Sequence, residues 1–362
     1  MQPLKRSQTR NTPRVLFIGG SINQTTQMHQ IAQELPECDP FFTPYYGHGV
    51  MERLRRARAL EFTVLGYKLR QRCLDYLQSH RLPIDPHGRA GGYDLVLTCS
   101  DLVVPKNIRS WPTVLVQEGI LDPVGIPFHL CRRLPILPLW IAGTSTTGLS
   151  GMYERFCVAS EGYRDLFIRN GVPAEKIAVT GIPNFDNCRR FEKNSFPYRG
   201  FVLVCTSDAR ETFKRDDRRG FVLRCLEIAQ GRQLIFKLHP NENVTRATAE
   251  IKAVAPEALV YAKGSAEEMI ANCAVLVTQY SSTVFVGLAL GKEVHSYFDL
   301  GELKRLMPIQ NNEAAYQIAA VCREVLAEAA AKAQAGAGKG SPSSLVKRLF
   351  PQASPLWRSR MP

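Results

Sequence analysis

The chain reads as an α/β protein made of two doubly wound halves. Apolar runs of strand length alternate with stretches whose apolar residues recur at helical spacing, a pattern that calls for mostly parallel sheets covered by helices. The alternation lapses once, over PNFDNCRRFEKNSFPYRG, and then restarts. At 362 residues, with 45% hydrophobic and 22% charged content, there is material for two cores.

The first half opens on Arg14 to Gly20 (RVLFIGG), a buried strand ending in a glycine turn, followed by a helix with Met28, Ile31, Ala32 and Leu35 on one face. Tyr93 to Thr98, Pro112 to Val116 and Phe156 to Ala159 are further strands. The helix EGYRDLFIRNG stops at Gly171, and Lys176 to Thr180 supplies the last strand of this half. The second half restarts at Phe201 to Cys205. It continues through a helix around Phe221 to Ile228, a strand Gln233 to Leu238, a helix near Val244 to Val254 and a short strand Leu259 to Ala262. Ser265 and Glu268 have capping-box spacing for the helix leading to the strand Val275 to Thr278. VFVGLALG and Glu313 to Ala333 are helical. The implied division is a basic tail 1–13, a first domain 14–182, a linker 183–200, a second domain 201–334 and a flexible basic tail 335–362.

Composition narrows the classes. The longest apolar stretch, Leu134 to Ala142, holds two prolines and falls far short of the roughly 20 residues that span a bilayer. The basic N-terminus lacks the apolar core of a secretory signal, so a cytoplasmic protein is expected. Ten singly scattered cysteines without a C-x-x-C pair are expected as reduced, buried thiols, with no structural metal. The formal charge of +13 favours an anionic partner. Basic residues concentrate on Arg53 to Arg81, and on Ser343 to Pro362, where Lys347, Arg348, Arg358 and Arg360 mix with Leu349, Phe350, Leu356 and Trp357. Such segments suit an anionic membrane surface, with peripheral attachment on its inner face; a solvated helix face and a loose tail would read the same way. Nucleic acid is not expected, because no aromatics interleave with the basic residues as a stacking platform requires.

Three strand ends in the second half carry phosphate-compatible groups. Val275 to Thr278 breaks into QYSST (Gln279 to Thr283) before a helix, which sets first-turn N–H groups beside hydroxyls. Phe201 to Cys205 ends in Thr206-Ser207, with Arg210 just beyond. The strand between them ends in His239-Pro240, with Lys237 on the same strand face as His239. Together Thr206, Ser207, Arg210, Lys237, His239, Pro240, Ser281, Ser282 and Thr283 imply a nucleotide site. In the first half, Pro112 to Val116 runs into Gln117-Glu118-Gly119, a carboxylate at the carboxyl end of a parallel strand, where such folds keep their sites. Glu118 is the candidate general base. Asp122, His48 in the loop YYGHG and Asp101 stand in reserve, and Gly19, Gly20 and Ser21 are expected on the acceptor side. Gly143 to Gly151 has the composition of a cleft lid. Each feature has a bland counterpart: serines cap helices, Gly-Gly-Ser makes tight turns, and a lone histidine is commonly a satisfied surface group.

The layout and several motifs resemble the GT-B glycosyltransferases. VASEGYRDLFIRNGVPAEKIAVTGIPNFDN (Val158 to Asn187) is similar to the end of the first domain in those enzymes and in the UDP-N-acetylglucosamine 2-epimerases. KLHPNE (Lys237 to Glu242) and TQYSSTVFVGLALGKEV (Thr278 to Val294) resemble the His-Pro and Ser-Ser motifs of bacterial capsule polysaccharide transferases, of polysialyl- and Kdo-transferase type, and of CDP-glycerol glycerophosphotransferases. The resemblance covers Val158 to Val294 and reaches the first 150 residues by architecture alone. It implies a GT-B fold, two Rossmann-like domains facing a central cleft. It also implies a metal-independent transferase moving a sugar or polyol phosphate from a nucleotide-activated donor to a surface-polysaccharide or lipid-linked acceptor. The nucleotide sugar is then a co-substrate and no cofactor is called for. By resemblance His239-Pro240 contacts the donor phosphate, and Gln117-Glu118-Gly119 is similar to an acidic-acidic-Gly motif with Gln117 in the first place. VQEGI (Val116 to Ile120) is also similar to the epimerase His-Val-Glu-Ala-Gly signature. The epimerase Asp-Ser-Gly-Gly turn and its paired glutamates are replaced here by Tyr280-Ser281-Ser282-Thr283 and by Val284, Phe285 and Val286. An epimerase-like activity and a noncatalytic nucleotide-binding scaffold are the alternatives.

Overall fold

The computed structural model describes residues 12–57, 65–121, 125–134, 136–144, 146–207, 210–211 and 216–336. Asp122 and the tail Ser343 to Pro362 lie outside the described residues. The first half comprises β1 (Arg14–Gly19), α1 (Ile22–Gln33), β2 (Asp39–Pro44), α2 (Val50–Arg56), α3 (Tyr67–Ser79), β3 (Leu95–Thr98), β4 (Thr113–Val116), α4 (Ile126–Arg133), β5 (Arg155–Val158), α5 (Glu161–Arg169) and β6 (Ile177–Val179). All pairings are parallel, in the order β2-β1-β3-β4-β5-β6.

The second half comprises β7 (Val202–Cys205), α6 (Arg218–Ala229), β8 (Leu234–Lys237), α7 (Val244–Val254), β9 (Leu259–Tyr261), α8 (Ala266–Asn272), β10 (Val275–Thr278), α9 (Thr283–Ala289), β11 (Glu293–His295), α10 (Leu300–Arg305) and α11 (Ala314–Gly336). Its strands are likewise parallel, ordered β11-β10-β7-β8-β9. Every residue of β1, β3, β4, β7, β8 and β10 is buried, as expected of strands covered on both faces. The strand order reverses at β1 in one sheet and at β7 in the other, and ligands bind in the crevice beyond the strand ends at such switch points.

The strand β2 (DPFFTP), which carries two prolines, is not among the strands expected from sequence. As an edge strand it tolerates them, and Phe42 anchors it by stacking on Phe17, ring centroids 5.1 Å apart.

One apolar cluster runs through both halves. Leu115, Phe156 and Val158 of the first sheet share it with Phe201, Leu203, Leu276 and Phe285 of the second. The stretch expected as a linker is part of this seam: Phe185 and Cys188 enter the same cluster. Buried Asp186 accepts the Asn312 and Ala314 N–H groups at 2.7 and 2.9 Å. The helix α11 departs from a division that places 201–334 together. Its Ile318, Ala319, Cys322, Val325 and Leu326 pack with Val15, Phe17, Leu97 and Val116, so the last helix completes the first core. Arg323 fixes it to Glu37 at 2.6 Å.

All ten cysteines are buried free thiols. Among the described residues no helix is long and apolar enough to cross a membrane.

The seam is tightest where α5 meets the end of α10. A Cβ on Gly162 would lie 2.1 Å from the Arg305 carbonyl oxygen, and Ser160 Oγ donates to Leu306 O at 3.2 Å. Gly162→Ala is expected to lower the unfolding free energy by about 1–3 kcal/mol in urea denaturation, through overpacking against backbone. An unchanged midpoint at constant slope would show that the seam yields freely.

Candidate functional site at the facing strand ends

The carboxyl ends of β7, β8 and β10 are tied by one buried polar network. Thr206, just past β7, donates its hydroxyl to Glu242 Oε2, and the same carboxylate oxygen accepts the His239 N–H at 2.8 Å. Glu242 Oε1 accepts from Arg218 Nη2 at 2.7 Å, and Arg218 Nε donates to Asp216 Oδ2 at 3.1 Å. Asp216 Oδ1 accepts from Gln279 Nε2 at 2.9 Å, and Gln279 Oε1 accepts from Ser207 Oγ at 2.7 Å. Arg210 closes the outer side, 3.3 Å from Asp216 and 2.6 Å from Glu250. The Asp216, Glu242 and Arg218 side chains are 0%, 2% and 4% exposed, so each charge depends on the others for its solvation. Burial pushes the Asp216 carboxyl up, but the Gln279 hydrogen bond and the Arg218 and Arg210 guanidiniums outweigh it and hold the group below its ordinary value.

This network changes the roles expected for several residues. Thr206 is buried with its hydroxyl committed to Glu242, Ser207 donates to Gln279, and Arg210 is paired twice. Lys237 shares a strand face with His239 yet is 6% exposed. Its ammonium donates to Leu238 O at 3.0 Å, and burial lowers its pKa. These four groups frame the strand ends. Glu242, Arg218, Asp216 and Gln279 were not singled out from sequence. Glu242 stands inside KLHPNE, but nothing in its spacing shows that its carboxylate turns back onto the His239 amide.

His239 is half-buried, and its Nδ1 accepts the Asn241 N–H at 3.2 Å, which puts the proton of the neutral ring on Nε2. Arg72 of α3 reaches across from the first half and donates to Pro240 O at 3.0 Å and Asn241 Oδ1 at 3.2 Å. In the serine turn, the Ser281 and Thr283 hydroxyls lie 2.9 Å apart. Ser282 occupies the cap position of α9 without a side-chain capping bond, so the bland role of a helix cap is not the one it fills.

Glu118 follows the end of β4. Its Oε1 accepts from Ser21 Oγ at 2.7 Å and its Oε2 from Gln24 Nε2 at 2.6 Å. Gln24 in turn accepts the Gly20 N–H at 2.6 Å, and Ser21 caps α1 by accepting the Gln24 N–H at 3.1 Å. Gly19 permits this start, since a Cβ there would lie 2.6 Å from Thr25 Oγ1. Glu118 and the Gly19–Ser21 turn therefore form one cluster. A Cβ on Gly119 would stand 3.7 Å from Ser282 Cβ, so the turn that follows Glu118 and the serine turn are in contact.

Two of the reserve candidates, His48 and Asp101, have other surroundings. His48 is exposed, edge-on to Tyr46 with ring centroids 5.6 Å apart. Asp101 is buried and accepts from Thr147 N at 2.7 Å and Thr147 Oγ1 at 2.8 Å. That pairing pins the loop expected as a lid, in which Thr144, Thr146 and Thr147 are buried. Thr147 and Thr146 supply hydroxyls to an internal carboxylate and an internal carbonyl, which ties the loop to the first half. Among the described residues no group of three or more His, Cys, Asp or Glu is placed to hold a metal ion.

No family model and no curated protein matches the chain by sequence. Among solved structures it is similar to UDP-GlcNAc 2-epimerase from Neisseria meningitidis bound to UDP-GlcNAc, at 12% identity and TM-score 0.55, over 86% of this chain and 100% of that one. A putative UDP-N-acetylglucosamine 2-epimerase from Listeria monocytogenes matches at 13% identity and TM-score 0.53, over 87% and 88%. The wall teichoic acid polymerase TagF matches at 10% identity and TM-score 0.48, over 88% and 90%. At these identities the epimerase likenesses speak to architecture: the chain has the GT-B fold, two parallel-sheet α/β domains.

The Asp216 shift has a defined sign. With its folded pKa below the unfolded one, its stabilisation is complete above the ordinary aspartate value of about 4 and is lost as pH falls through the folded value. Asp216→Asn should therefore be less stable than the parent at neutral pH and lose less stability on acidification, in urea titrations run from about pH 7 to about pH 3. Parallel losses in both proteins would refute this assignment.

Proposed function

We propose that the protein transfers a sugar or polyol phosphate from a nucleotide-activated donor to an acceptor hydroxyl. The observation that carries this reading is the meeting of the Glu118 turn with the Ser281-Ser282 turn at the carboxyl ends of two parallel sheets. The donor phosphates lie against the Ser281, Ser282 and Thr283 hydroxyls and the Nε2 edge of His239. The acceptor lies over Glu118, on the side of Gly19, Gly20 and Ser21. Nucleotide sugars are also what the similar epimerase structure holds.

The chemistry follows from the two sides. The acceptor oxygen forms a bond to the reacting carbon or phosphorus of the donor while the bond to the departing phosphate oxygen breaks. The hydroxyl proton passes to Glu118. Each of its carboxylate oxygens already accepts one hydrogen bond, from Ser21 or Gln24, and keeps a further lone pair for that proton. Charge growing on the departing phosphate is met by the imidazole N–H and the serine hydroxyls, donors fixed before the reaction begins. The acceptor is read as a surface polysaccharide or lipid-linked glycan, and no metal ion is required by this scheme.

Sugar-nucleotide epimerisation is the second reading, favoured by the identity of the similar structures. Incubation with CMP, CDP, UDP and GDP sugars separates the two, because transfer or hydrolysis releases nucleotide whereas epimerisation interconverts the sugar. Glu118→Gln is expected to reduce turnover by roughly 100-fold to 10,000-fold with nucleotide affinity retained. His239→Ala should weaken donor binding as well. Full activity in both variants would overturn the site.

A further inference from the structure

The helix α4 carries apolar side chains on both its inner and its outer side, with His129, Arg132 and Arg133 exposed among them. Its inner side buries Phe128 and Cys131 with Ala142, and Leu137, Leu139 and Leu149 pack on that small core. Its outer side leaves Ile126 77%, Leu130 47% and Leu134 48% exposed, and the following segment adds Ile136 at 89%, Trp140 at 53% and Ile141 at 40%. Surface apolar residues ordinarily occur singly, and a contiguous exposed apolar patch with polar groups at its rim marks an interaction surface.

Charge says what covers it. Gly125 to Ala142 contains neither Asp nor Glu, whereas Arg132 and Arg133 occupy the last turn of α4. Arg132 is steered by donation to Arg169 O at 3.1 Å. Aliphatic side chains with a tryptophan, in a stretch that carries two guanidiniums and no carboxylate of its own, on a chain of charge +13, match a bilayer boundary with anionic headgroups.

We propose that α4 and the 136–141 segment dock the protein on an anionic membrane surface, with Ile126, Leu130, Ile136 and Trp140 entering the boundary between headgroups and acyl chains and Arg132 and Arg133 meeting lipid phosphates. This surface is distinct from the basic segment Arg53 to Arg81, whose Arg72 is engaged with Pro240 and Asn241. It places the attachment on the half that carries Glu118, shortly after that residue in the chain.

The test is flotation of the full chain with vesicles of phosphatidylcholine alone, or with about one third phosphatidylglycerol. The parent should float with the anionic vesicles and far less with the neutral ones. Ile136→Glu with Trp140→Glu should lower anionic-vesicle partitioning at least about tenfold, with the thermal unfolding midpoint retained because both side chains are exposed. Arg132→Gln with Arg133→Gln should erase most of the preference for anionic lipid. Neutralising Lys347, Arg348, Arg358 and Arg360 to Gln should leave most of the binding in place. Absence of flotation, equal flotation of the double Glu variant, or loss only on neutralising the tail would overturn the proposal. So would light scattering that shows a dimer made monomeric by Ile136→Glu, without vesicle binding.

Discussion

The carboxylate of Glu242 is the constraint on which the second half of the site depends. One oxygen gathers the Thr206 hydroxyl and the His239 amide, and the other is clamped by Arg218. A carboxylate with 2% exposure has no solvent to fall back on, so the arrangement holds only while all three donors stay in place. The ends of β7 and β8 are thereby fixed relative to each other. The chain of contacts through Asp216 and Gln279 extends the same constraint to β10, whose following turn carries the serines. An imidazole and two hydroxyls on separate strand ends would otherwise be placed by loops alone. Here their backbone positions follow from a buried network with little freedom to shift.

The first half reaches the same end by a different route. Glu118 is positioned by the opening of α1, where Ser21 caps the helix and Gln24 links the Gly20 amide to the carboxylate. This is a partly exposed arrangement, and among the described residues no ion pair to Glu118 is found. The contrast is physical: the ends of β7, β8 and β10 are held by ion pairs removed from water, the end of β4 by hydrogen bonds from uncharged donors at a helix start. The apolar seam from Leu115 to Phe285, together with α11 returning to the first core, keeps the two sides opposed.

The legible parts of this protein were those that repeat or alternate. The strands leading to Gly19, Gln117, Thr206, His239 and Gln279 announce themselves as continuous apolar runs, and the structure places their ends where parallel sheets keep ligand sites. The strand β2 was hidden by its prolines, which only an edge position excuses. The return of α11 to the first sheet was illegible, because a helix's apolar stripe does not name its partner. Within the site, Thr206, Arg210 and Lys237 looked like ligand groups because their residue types suit phosphate. In the structure they partner Glu242, Asp216, Glu250 and a backbone carbonyl, contacts that residue type and spacing do not reveal.

Gln117 shows why a departure from a motif can be a structural requirement. Its Oε1 accepts the Ala159 N–H at 2.9 Å and its Nε2 donates to Gly119 O at 2.7 Å, with the side chain buried. Two opposite hydrogen-bonding roles are thus needed at one position, an acceptor towards β5 and a donor towards the turn. An amide supplies both. An ionised carboxylate supplies only the first and would leave Gly119 O facing negative charge. The turn that presents Glu118 and brings Gly119 against Ser282 therefore holds because the preceding residue is an amide. The lone carboxylate at this strand end is consistent with that geometry, and it leaves Glu118 as the proton acceptor from which the proposed chemistry is built.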